Sequence, residues 1–551
     1  MRLVRNSLEL SASQLAAHAT NGVVYVNALD SDLEIVDATT LIGGVSVTGV
    51  SASDEICIEV EDGALDIGST ILANNDIFLE ADGDVILGAS VIGGTSLPNV
   101  GITSVNGDIV DAGGNIDAVN LALSAGDDIG VDSTGAASPI DFDADSLAAS
   151  AGGDINLNKM GGGNLSVLDH TVKSGTIVGI TGGGDLDLDA GDGLIVIRSG
   201  GEIDGLEIAA SQLAVSAAEG DVTINDIDST DLEIVEATTL LGGAVDGVTA
   251  GGDINLATDG ELTVTTNLEA DGDICLDVDE LDLRAGIEST GGNDIAVRSV
   301  GDILLGNGAD RTLVSNGGTI SLEAGGNIVN RNGDNLDIDA DDGLVILTGG
   351  RFVGQNVAGA ALQISASQLA ASSSMNGDVA VEAIGPSDLE IVEATTLKGG
   401  VVVTGVEADN NVSLTVENGS LNIQEDILAG RDLILEANDD VTVAARVKTG
   451  RDEAIHITAV NGDIINGGGR IEGHDLGLSA AGDIGVDSSG AASPIVVDVT
   501  ALAAEAGNDI NLQAVGGVRI SDIFGIDGVQ GGATWTLPRT PESSSSRTPF
   551  G

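Results

Sequence analysis

The amino-acid sequence predicts an all-β protein, a parallel β-helix (β-solenoid) with about 20 residues in each coil. Three features of the sequence support this fold class: a short repeat of strand-like segments, a long repeat that contains many of them, and a composition poor in large side chains. A fixed internal period of about 20 to 50 residues is typical of repeat architectures, in which each unit buries its apolar face against its neighbours.

The short repeat is a Gly/Asp turn followed by Asp, an aliphatic residue, a variable residue and a second aliphatic residue. It occurs as DINL at 253–256 and as DICL at 273–276, which gives a step of about 20 residues. The same pattern occurs at 76–79, 84–87, 154–157, 294–297, 432–435 and 509–512. The alternation predicts strands with one dry face, and the Gly/Asp pairs predict tight turns between them.

The long repeat spans most of the chain. LELSASQL at 8–15 returns as LEIAASQL at 206–213 and as LQISASQL at 362–369. Each copy then reaches a D-L-E-I-V segment, at 32–36, 231–235 and 388–392. The second copy is shorter than the first by about two coils, a loss that a stack with nearest-neighbour contacts tolerates.

This repeat structure gives the predicted domain boundaries. We expect three solenoid copies at 1–205, 206–361 and 362–535, followed by a disordered Ser- and Pro-rich tail at 536–551. The SASQLAA segment at 11–17 favours a strand over a short helical turn. Together these segments predict about 25 coils, stacked about 4.8 Å apart as a rod.

Composition limits the range of partners. Glycine accounts for 81 of 551 residues and aromatic residues for 1%, while 42% of the chain is hydrophobic, which indicates a narrow core of stacked aliphatic residues rather than disorder. The net charge of −69 repels phosphate backbones and argues against nucleic acid as a partner. No run approaches the length of about 18 apolar residues that a spanning helix needs, so membrane insertion is not expected. The first residues, MRLVRNSLELSASQL, lack the apolar core of a signal peptide.

The two cysteines occupy the variable slot of the strand pattern. This position predicts that Cys57 and Cys275 face away from the core. They are separated by about eleven coils, so we expect no disulfide between them.

The acidic residue before each strand is the most suggestive chemical feature. In a stack such carboxylates lie about 4.8 Å apart and repel one another, and Ca²⁺ would relieve that repulsion. The candidate ligands are Asp253, Asp273, Asp187, Asp189, Asp337 and Asp339. The favoured alternative is that these residues cap local backbone amides and stay solvated. We therefore expect no cofactor, with Ca²⁺ as the open alternative, and the glycine-rich calcium-binding nonapeptide signature is not present.

A catalytic interpretation needs an acid cluster distinct from the repeat. Asp187, Asp189 and Asp192 near Arg198 are the best candidates, since β-helix polysaccharide lyases and hydrolases use clustered carboxylates. The same acid pattern returns at 337–342, with Thr348 in place of the arginine. A feature copied with the repeat indicates a structural role, so we predict no enzyme and no catalytic residue.

The four histidines give no further site. They are His18, His170, His456 and His474. Their spacing fits no metal-ligand motif, so we expect surface or turn positions.

The G-D-[IV]-x-[LIV] strands, at a spacing of about 20 residues, resemble the repeats of filamentous haemagglutinin-type adhesins between positions 8 and 530. The resemblance implies a right-handed parallel β-helix in a large exported bacterial protein, extracellular or at the cell surface, that acts without catalysis. It also implies a glycan or protein receptor on a host or neighbouring cell. The secretion domain of that family, with its Asn-Pro-Asn motifs, has no counterpart in this sequence. Two alternatives stay open: a calcium-binding extracellular matrix or surface-layer module, and a β-helix polysaccharide lyase or hydrolase.

Overall fold

In the computed structural model the chain is all-β and forms a parallel β-solenoid of about 20 turns, with a spacing of about 23 residues. It contains two compact units, Met1–Glu288 and Ser289–Gly551. The structure describes the chain except for residues 1–6, 30, 95–97, 137, 154, 161–164, 168–169, 174–175, 180–187, 190–193, 200, 227–230, 240–242, 307–312, 356–359, 386–387, 532–534 and 537–551. Among the described residues, no helix has the length and apolar character needed to cross a bilayer.

A typical coil of the first unit is built from one longer and two short strands. The coil that begins at Ile56 contains Ile56–Val60, Leu65–Ile67 and Ile71–Ala73. The parallel partners of these strands, one coil later, are Ile77–Ala81, Val85–Leu87 and Val91–Ile92. The pairing confirms the predicted period of about 20 residues for these coils.

Two- and three-residue strands connect longer ones in both units. The strands of four or more residues in the first unit are Val24–Ala28, Ile56–Val60, Ile77–Ala81, Asn99–Ser104, Asn120–Ala125, Ile140–Asp143, Ser146–Ser150, Ile155–Lys159, His170–Lys173, Thr176–Gly179, Leu194–Ser199, Ile203–Ala209, Gln212–Ala217, Val222–Asp226, Asp231–Ile234, Glu236–Thr239, Gly243–Asp246, Ile254–Thr258, Glu261–Val264, Ile274–Val278 and Glu280–Leu283. Those in the second unit are Ile295–Ser299, Ile320–Ala324, Leu344–Gly349, Leu362–Ser365, Gln368–Ser373, Val379–Ala383, Val412–Val416, Leu433–Ala437, Ala454–Ala459, Asp475–Ala480, Ile495–Asp498, Ala501–Ala506 and Ile510–Ala514.

Alternation along each strand sets what is buried. In Ile56–Val60 the residues Ile56 and Ile58 are fully buried, while Cys57 between them is half-buried. Burying one Ile or Leu side chain contributes about 1.5 to 3 kcal/mol, and the same contribution recurs from coil to coil. Both cysteines are free thiols in the variable slot, as the sequence predicts.

The expected number of about 25 coils is wrong, because some coils are about half as long again as the others. In three such coils Val24 pairs with Ile56, Val222 with Ile254, and Val379 with Val412. Each of these coils contains the D-L-E-I-V segment and then an antiparallel hairpin, which the repeat pattern does not predict. The hairpins are Ala38–Thr39 with Ser46–Val47, Glu236–Thr239 with Gly243–Asp246, and Glu393–Thr395 with Val402–Thr404.

Two of the hairpins fold back onto the outer face of a strand layer. Ala237 and Val245 pack with Val196 and Ala214 in the first unit, and all four are buried. In the second unit the hairpin residue Val403 packs likewise on the strands Leu344–Gly349 and Gln368–Ser373. Outward-facing aliphatic residues therefore occur where a hairpin covers them.

The SASQLAA copies form strands, as predicted. Gln14–Leu15 and Ala17–Ala19 lie in the first copy, Gln212–Ala217 in the second and Gln368–Ser373 in the third. The predicted tail at 536–551 lies outside the described residues except for Thr536.

Candidate functional site

The acidic residues that precede the strands form what we call the aspartate ladder. In the second unit, Asp440 Oδ1 accepts the backbone N–H of Asp463 at 2.7 Å, and Asp463 Oδ1 accepts the N–H of Asp483 at 2.6 Å. Asp483 Oδ1 then accepts the N–H of Asp509 at 2.8 Å. Each carboxylate therefore satisfies an amide of the next coil, and a charge-assisted hydrogen bond of this kind is stronger than a neutral one.

The same ladder occurs in the first unit. Asp84 accepts the amide of Asp108 at 2.9 Å, and Asp108 accepts that of Asp128 at 2.8 Å. The favoured interpretation of the sequence is that each aspartate caps an amide within its own turn. The structure corrects this partner: the amide belongs to the equivalent residue one coil later.

Where a glycine precedes a ladder aspartate, it makes room for the carboxylate of the preceding coil. A Cβ at Gly482 would lie 2.0 Å from Asp463 Oδ1, and one at Gly462 would lie 2.4 Å from Asp440 Oδ1. In the first unit a Cβ at Gly272 would lie 2.0 Å from an oxygen of its ladder aspartate. This contact explains the Gly-Asp pair where it occurs in the ladder, whereas Asp127 and Asn508 stand at the glycine position before Asp128 and Asp509.

The predicted calcium ligands fall into different environments. Asp253 is a ladder residue that accepts the amide of Asp273 at 2.8 Å. Asp187 lies outside the described residues, and Asp189 ends the short strand Leu188–Asp189, where side chains are not described. Asp339 Oδ1 accepts the backbone N–H of Asp341 at 3.1 Å.

The predicted catalytic cluster cannot be assembled from the described part of the chain. Asp192 lies outside the described residues, as does the side chain of Arg198. The prediction that this cluster is not catalytic therefore stays a prediction.

Asp337 differs from what the period-two alternation of apolar and acidic residues at 336–340, LDIDA, predicts. The pattern predicts Leu336 inside and Asp337 outside, but Asp337 is fully buried and Leu336 only half-buried. Asp337 Oδ2 accepts the N–H of Gln363 at 2.9 Å, whereas Oδ1 has no hydrogen-bond partner among the described residues. Burial raises the pKa of Asp337 to about 7, and the hydrogen bond from Gln363 lowers it in part.

Three carboxylates of the first unit come close enough to share a cation. Asp108, Asp127 and Asp128 each offer an oxygen, and these oxygens lie within 4.8 Å of one another. Asp108 already uses Oδ1 to accept the amide of Asp128. Two of the three residues, Asp108 and Asp128, therefore belong to the aspartate ladder.

The histidines are dispersed. His18 Nδ1 lies 2.7 Å from Ser51 Oγ, and the side chain of His170 is outside the described residues. His456 stacks on Phe524 with 4.6 Å between ring centroids, and burial lowers the pKa of His456. His474 lies in a pocket that no sequence motif indicates.

We call this the cationic pocket. It has a volume of about 590 Å³ and is lined by Lys448, Thr449, Gly450, Arg451, Asp452, Glu472, Gly473, His474 and Thr500. The strands Arg446–Lys448 and Arg470–Glu472 pair in parallel, so the residues that follow each strand meet at one corner of the stack. The lining residues come from three segments that are separate in the sequence, which is why no local pattern signals the pocket.

Charges in the cationic pocket are partly compensated. Lys448 Nζ lies 3.9 Å from Glu472 Oε2, and Arg470 also pairs with Glu472. His474 Nδ1 lies 2.9 Å from Asp475 Oδ1, while its Nε2 lies 3.9 Å from Asp452 Oδ1. The imidazole of His474 therefore lies between two carboxylates.

Two lining groups have no partner within the described part of the chain. Arg451 is exposed, and its guanidinium makes no hydrogen bond or ion pair there. Thr449 is 4% exposed and its hydroxyl has no hydrogen-bond partner. The pocket lining therefore combines a guanidinium that is uncommitted within the described residues with an ammonium, an imidazole and two carboxylates.

Comparison of the chain with protein-family models, with curated proteins and with solved structures found no match.

Proposed function

We propose that the chain is a non-catalytic structural or adhesive β-solenoid segment of a large exported bacterial surface protein, similar to filamentous haemagglutinin-type adhesins. The observation that carries the proposal is the aspartate ladder. Acids in successive coils, such as Asp440, Asp463 and Asp483, use a carboxylate oxygen to hold the next coil. The acidic residues that the repeat places before these strands therefore serve to stack the coils.

Surface charge supports the same proposal. A chain with a net charge of −69 stays soluble and resists lateral association through self-repulsion. We place it outside the cell or on the cell surface, where it presents a face to a glycan or protein receptor. Neither nucleic acid nor membrane insertion is part of this proposal.

The proposal is tested by coupling the purified chain to fluorescent beads and measuring adhesion to a panel of cells. We expect saturable adhesion above that of beads carrying an unrelated protein of similar net charge. Antibody labelling of intact producing cells should match labelling of permeabilised cells if the chain is exported. Equal adhesion of both bead types, or labelling only after permeabilisation, would contradict the proposal.

The enzyme alternative is tested with the same protein. Incubation with acidic polysaccharides should release no reducing ends, because the carboxylates of the ladder are engaged with backbone amides. Saturable release that depends on the folded chain would replace the adhesive proposal with a lyase or hydrolase.

A further inference from the structure

The cationic pocket lies between strands that have equivalents in the first copy of the long repeat, but its charged side chains do not. The strand pair that borders it, Arg446–Lys448 with Arg470–Glu472, has an equivalent in the first copy, Val91–Ile92 with Asn115–Asp117. There an isoleucine, at 92, occupies the position of Lys448, and a valine, at 119, occupies that of the pocket histidine. The turn that carries the pocket arginine in the third copy is GGTSLP at 93–98 in the first copy and contains no cation.

This difference matters because the rest of these coils is shared. Features that recur with the repeat, such as the aspartate ladder, serve the stacking of coils. The three basic or titratable side chains Lys448, Arg451 and His474 are not needed for that stacking, since the equivalent coils form without them. Their presence at one corner indicates a site that was added to the scaffold.

The local charge also departs from that of the whole chain. The short segment 446–470 carries four of the chain's 19 Lys and Arg side chains. Arg446 is committed to Asp426, with Nη2 2.8 Å from Oδ2. Glu472 pairs with both a lysine and an arginine, so one carboxylate faces two cations. Arg451 adds a guanidinium that no carboxylate of the described residues engages.

We propose that the cationic pocket binds a carboxylated sugar, with Arg451 and Lys448 holding the carboxylate; this rests on the proposed adhesive function and names the ligand class for it. Arg presents a planar pair of N–H donors that matches a carboxylate in two parallel hydrogen bonds. Thr500 and Asp452, both exposed on the pocket lining, supply a hydroxyl and a carboxylate acceptor for sugar hydroxyls. Among the lining residues His474 alone has a planar ring, so recognition depends on charge rather than on aromatic stacking.

The volume of the pocket and the net charge of the chain restrict which carboxylated sugars can bind. A volume of about 590 Å³ accommodates one or two sugar units. The net charge of −69 repels densely charged polyanions, whereas a sugar with a single carboxylate can place it at Arg451 and Lys448 and its hydroxyls near Asp452. Uronic acids and sialic acids share this chemistry, and separate measurements with each distinguish them.

The test measures binding of glucuronate and of N-acetylneuraminate to the full chain by saturation-transfer NMR and calorimetry at low salt. We expect a dissociation constant of about 1 mM or below for one of the two, weakening as salt rises, and no binding of neutral glucose. Arg451→Gln should weaken binding about tenfold or more, and Lys448→Gln should weaken it less, because Lys448 is shared with Glu472.

A matched control removes the same charge elsewhere in the unit. Arg431 is exposed and does not line the pocket, so Arg431→Gln should leave the dissociation constant within about twofold. Circular dichroism confirms that each variant is folded. Absence of binding to both acids, or equal weakening by Arg431→Gln and Arg451→Gln, would overturn the proposal.

Cell adhesion separates this proposal from the one on which it rests. If Arg451→Gln beads adhere to cells as well as unmodified beads do, the chain is adhesive and the proposal that the pocket is the receptor site is overturned. If beads carrying the unmodified chain do not adhere to cells although the chain binds glucuronate, the sugar-binding proposal is supported and the adhesive function is contradicted.

Discussion

Asp463 and Asp337 belong to the same unit and each directly precedes a short strand, Ile464–Asn466 and Ile338–Asp339, but their surroundings differ. Asp463 is half-buried, accepts an amide hydrogen bond from Asp483 and donates its own amide to Asp440. Asp337 is fully buried, and one of its carboxylate oxygens has no partner among the described residues. We therefore expect an acid to stabilise this stack when its charge is both solvated and hydrogen-bonded, and to destabilise it when only the hydrogen bond is kept.

Removing the ionisable group of Asp337 should change the free energy of unfolding more than the other substitutions below. The pKa of Asp337 is about 7 in the folded chain against 3.8 for an ordinary aspartate. Below pH 3.8 Asp337 is protonated in both states, so its ionisation does not change the free energy of unfolding. Between pH 3.8 and 7 the unfolded state ionises first, which lowers the free energy of unfolding by about 4 kcal/mol in total, at about 1.4 kcal/mol for each pKa unit. Asp337→Asn should therefore flatten the pH dependence of the free energy of unfolding between about pH 4 and pH 7.

This prediction is checked by urea unfolding of both proteins at several pH values. Because many other acids titrate in the same range, the measured quantity is the difference between Asp337→Asn and the unmodified chain. The control Asp342→Asn removes an exposed charge nearby, and its effect should be much smaller at every pH. A pH-independent difference for Asp337→Asn would mean that Asp337 is ionised in the folded state.

A weaker effect is expected where the ladder carboxylate meets its glycine. Gly482→Ala places a Cβ 2.0 Å from Asp463 Oδ1, so the carboxylate must move and the free energy of unfolding should fall by about 1 to 3 kcal/mol. Asp463→Ala should cost a similar amount through the lost hydrogen bond to the next coil. In the Asp463→Ala background the alanine at 482 should cost much less, since its clash partner is gone.

Thermal unfolding of the four proteins of this double-mutant cycle measures the coupling. Gly516→Ala is the matched control, because a Cβ at Gly516 meets nothing within 4 Å. Additive effects of Gly482→Ala and Asp463→Ala would show that the carboxylate is not the reason for the glycine.

The smallest change in the free energy of unfolding is expected for Asp463→Asn, which removes the charge but keeps a side-chain oxygen. Asp463→Asn retains an acceptor for the amide of Asp483 and reduces repulsion along the ladder, so the free energy of unfolding should change by less than about 1 kcal/mol.

If the ladder instead binds calcium, the unmodified chain should gain thermal stability in millimolar Ca²⁺ and lose it on chelation. Asp463→Asn would then lower that gain, and differential scanning calorimetry with and without chelator checks both outcomes.

Several features were predictable from the sequence because they repeat. The DINL and DICL segments at 253–256 and 273–276 pair in the structure with the same step of about 20 residues that separates them in the chain. Period-two alternation identified Ile56 and Ile58 as core and Cys57 as outward-facing. A local pattern is sufficient here because each coil is stabilised by contacts with its immediate neighbours.

Features that depend on one particular contact were not predictable in this way. The cationic pocket joins Lys448, His474 and Thr500 across three successive segments, and the register between coils alone places them together. The hairpin at 393–404 covers an outward apolar patch that includes Ile346 and Ala370, and no local pattern links these residues to the hairpin.

The parallel solenoid, its short period and the inward aliphatic columns follow from the order of residues in the chain, since nearest-neighbour stacking is encoded in every repeat. Three features required the folded chain: the number of turns, about 20; the capping of an amide in the next coil by each ladder aspartate; and the burial of Asp337. Burial and hydrogen-bond partners depend on which residues of different coils come into register, and the order of residues within one coil does not specify this.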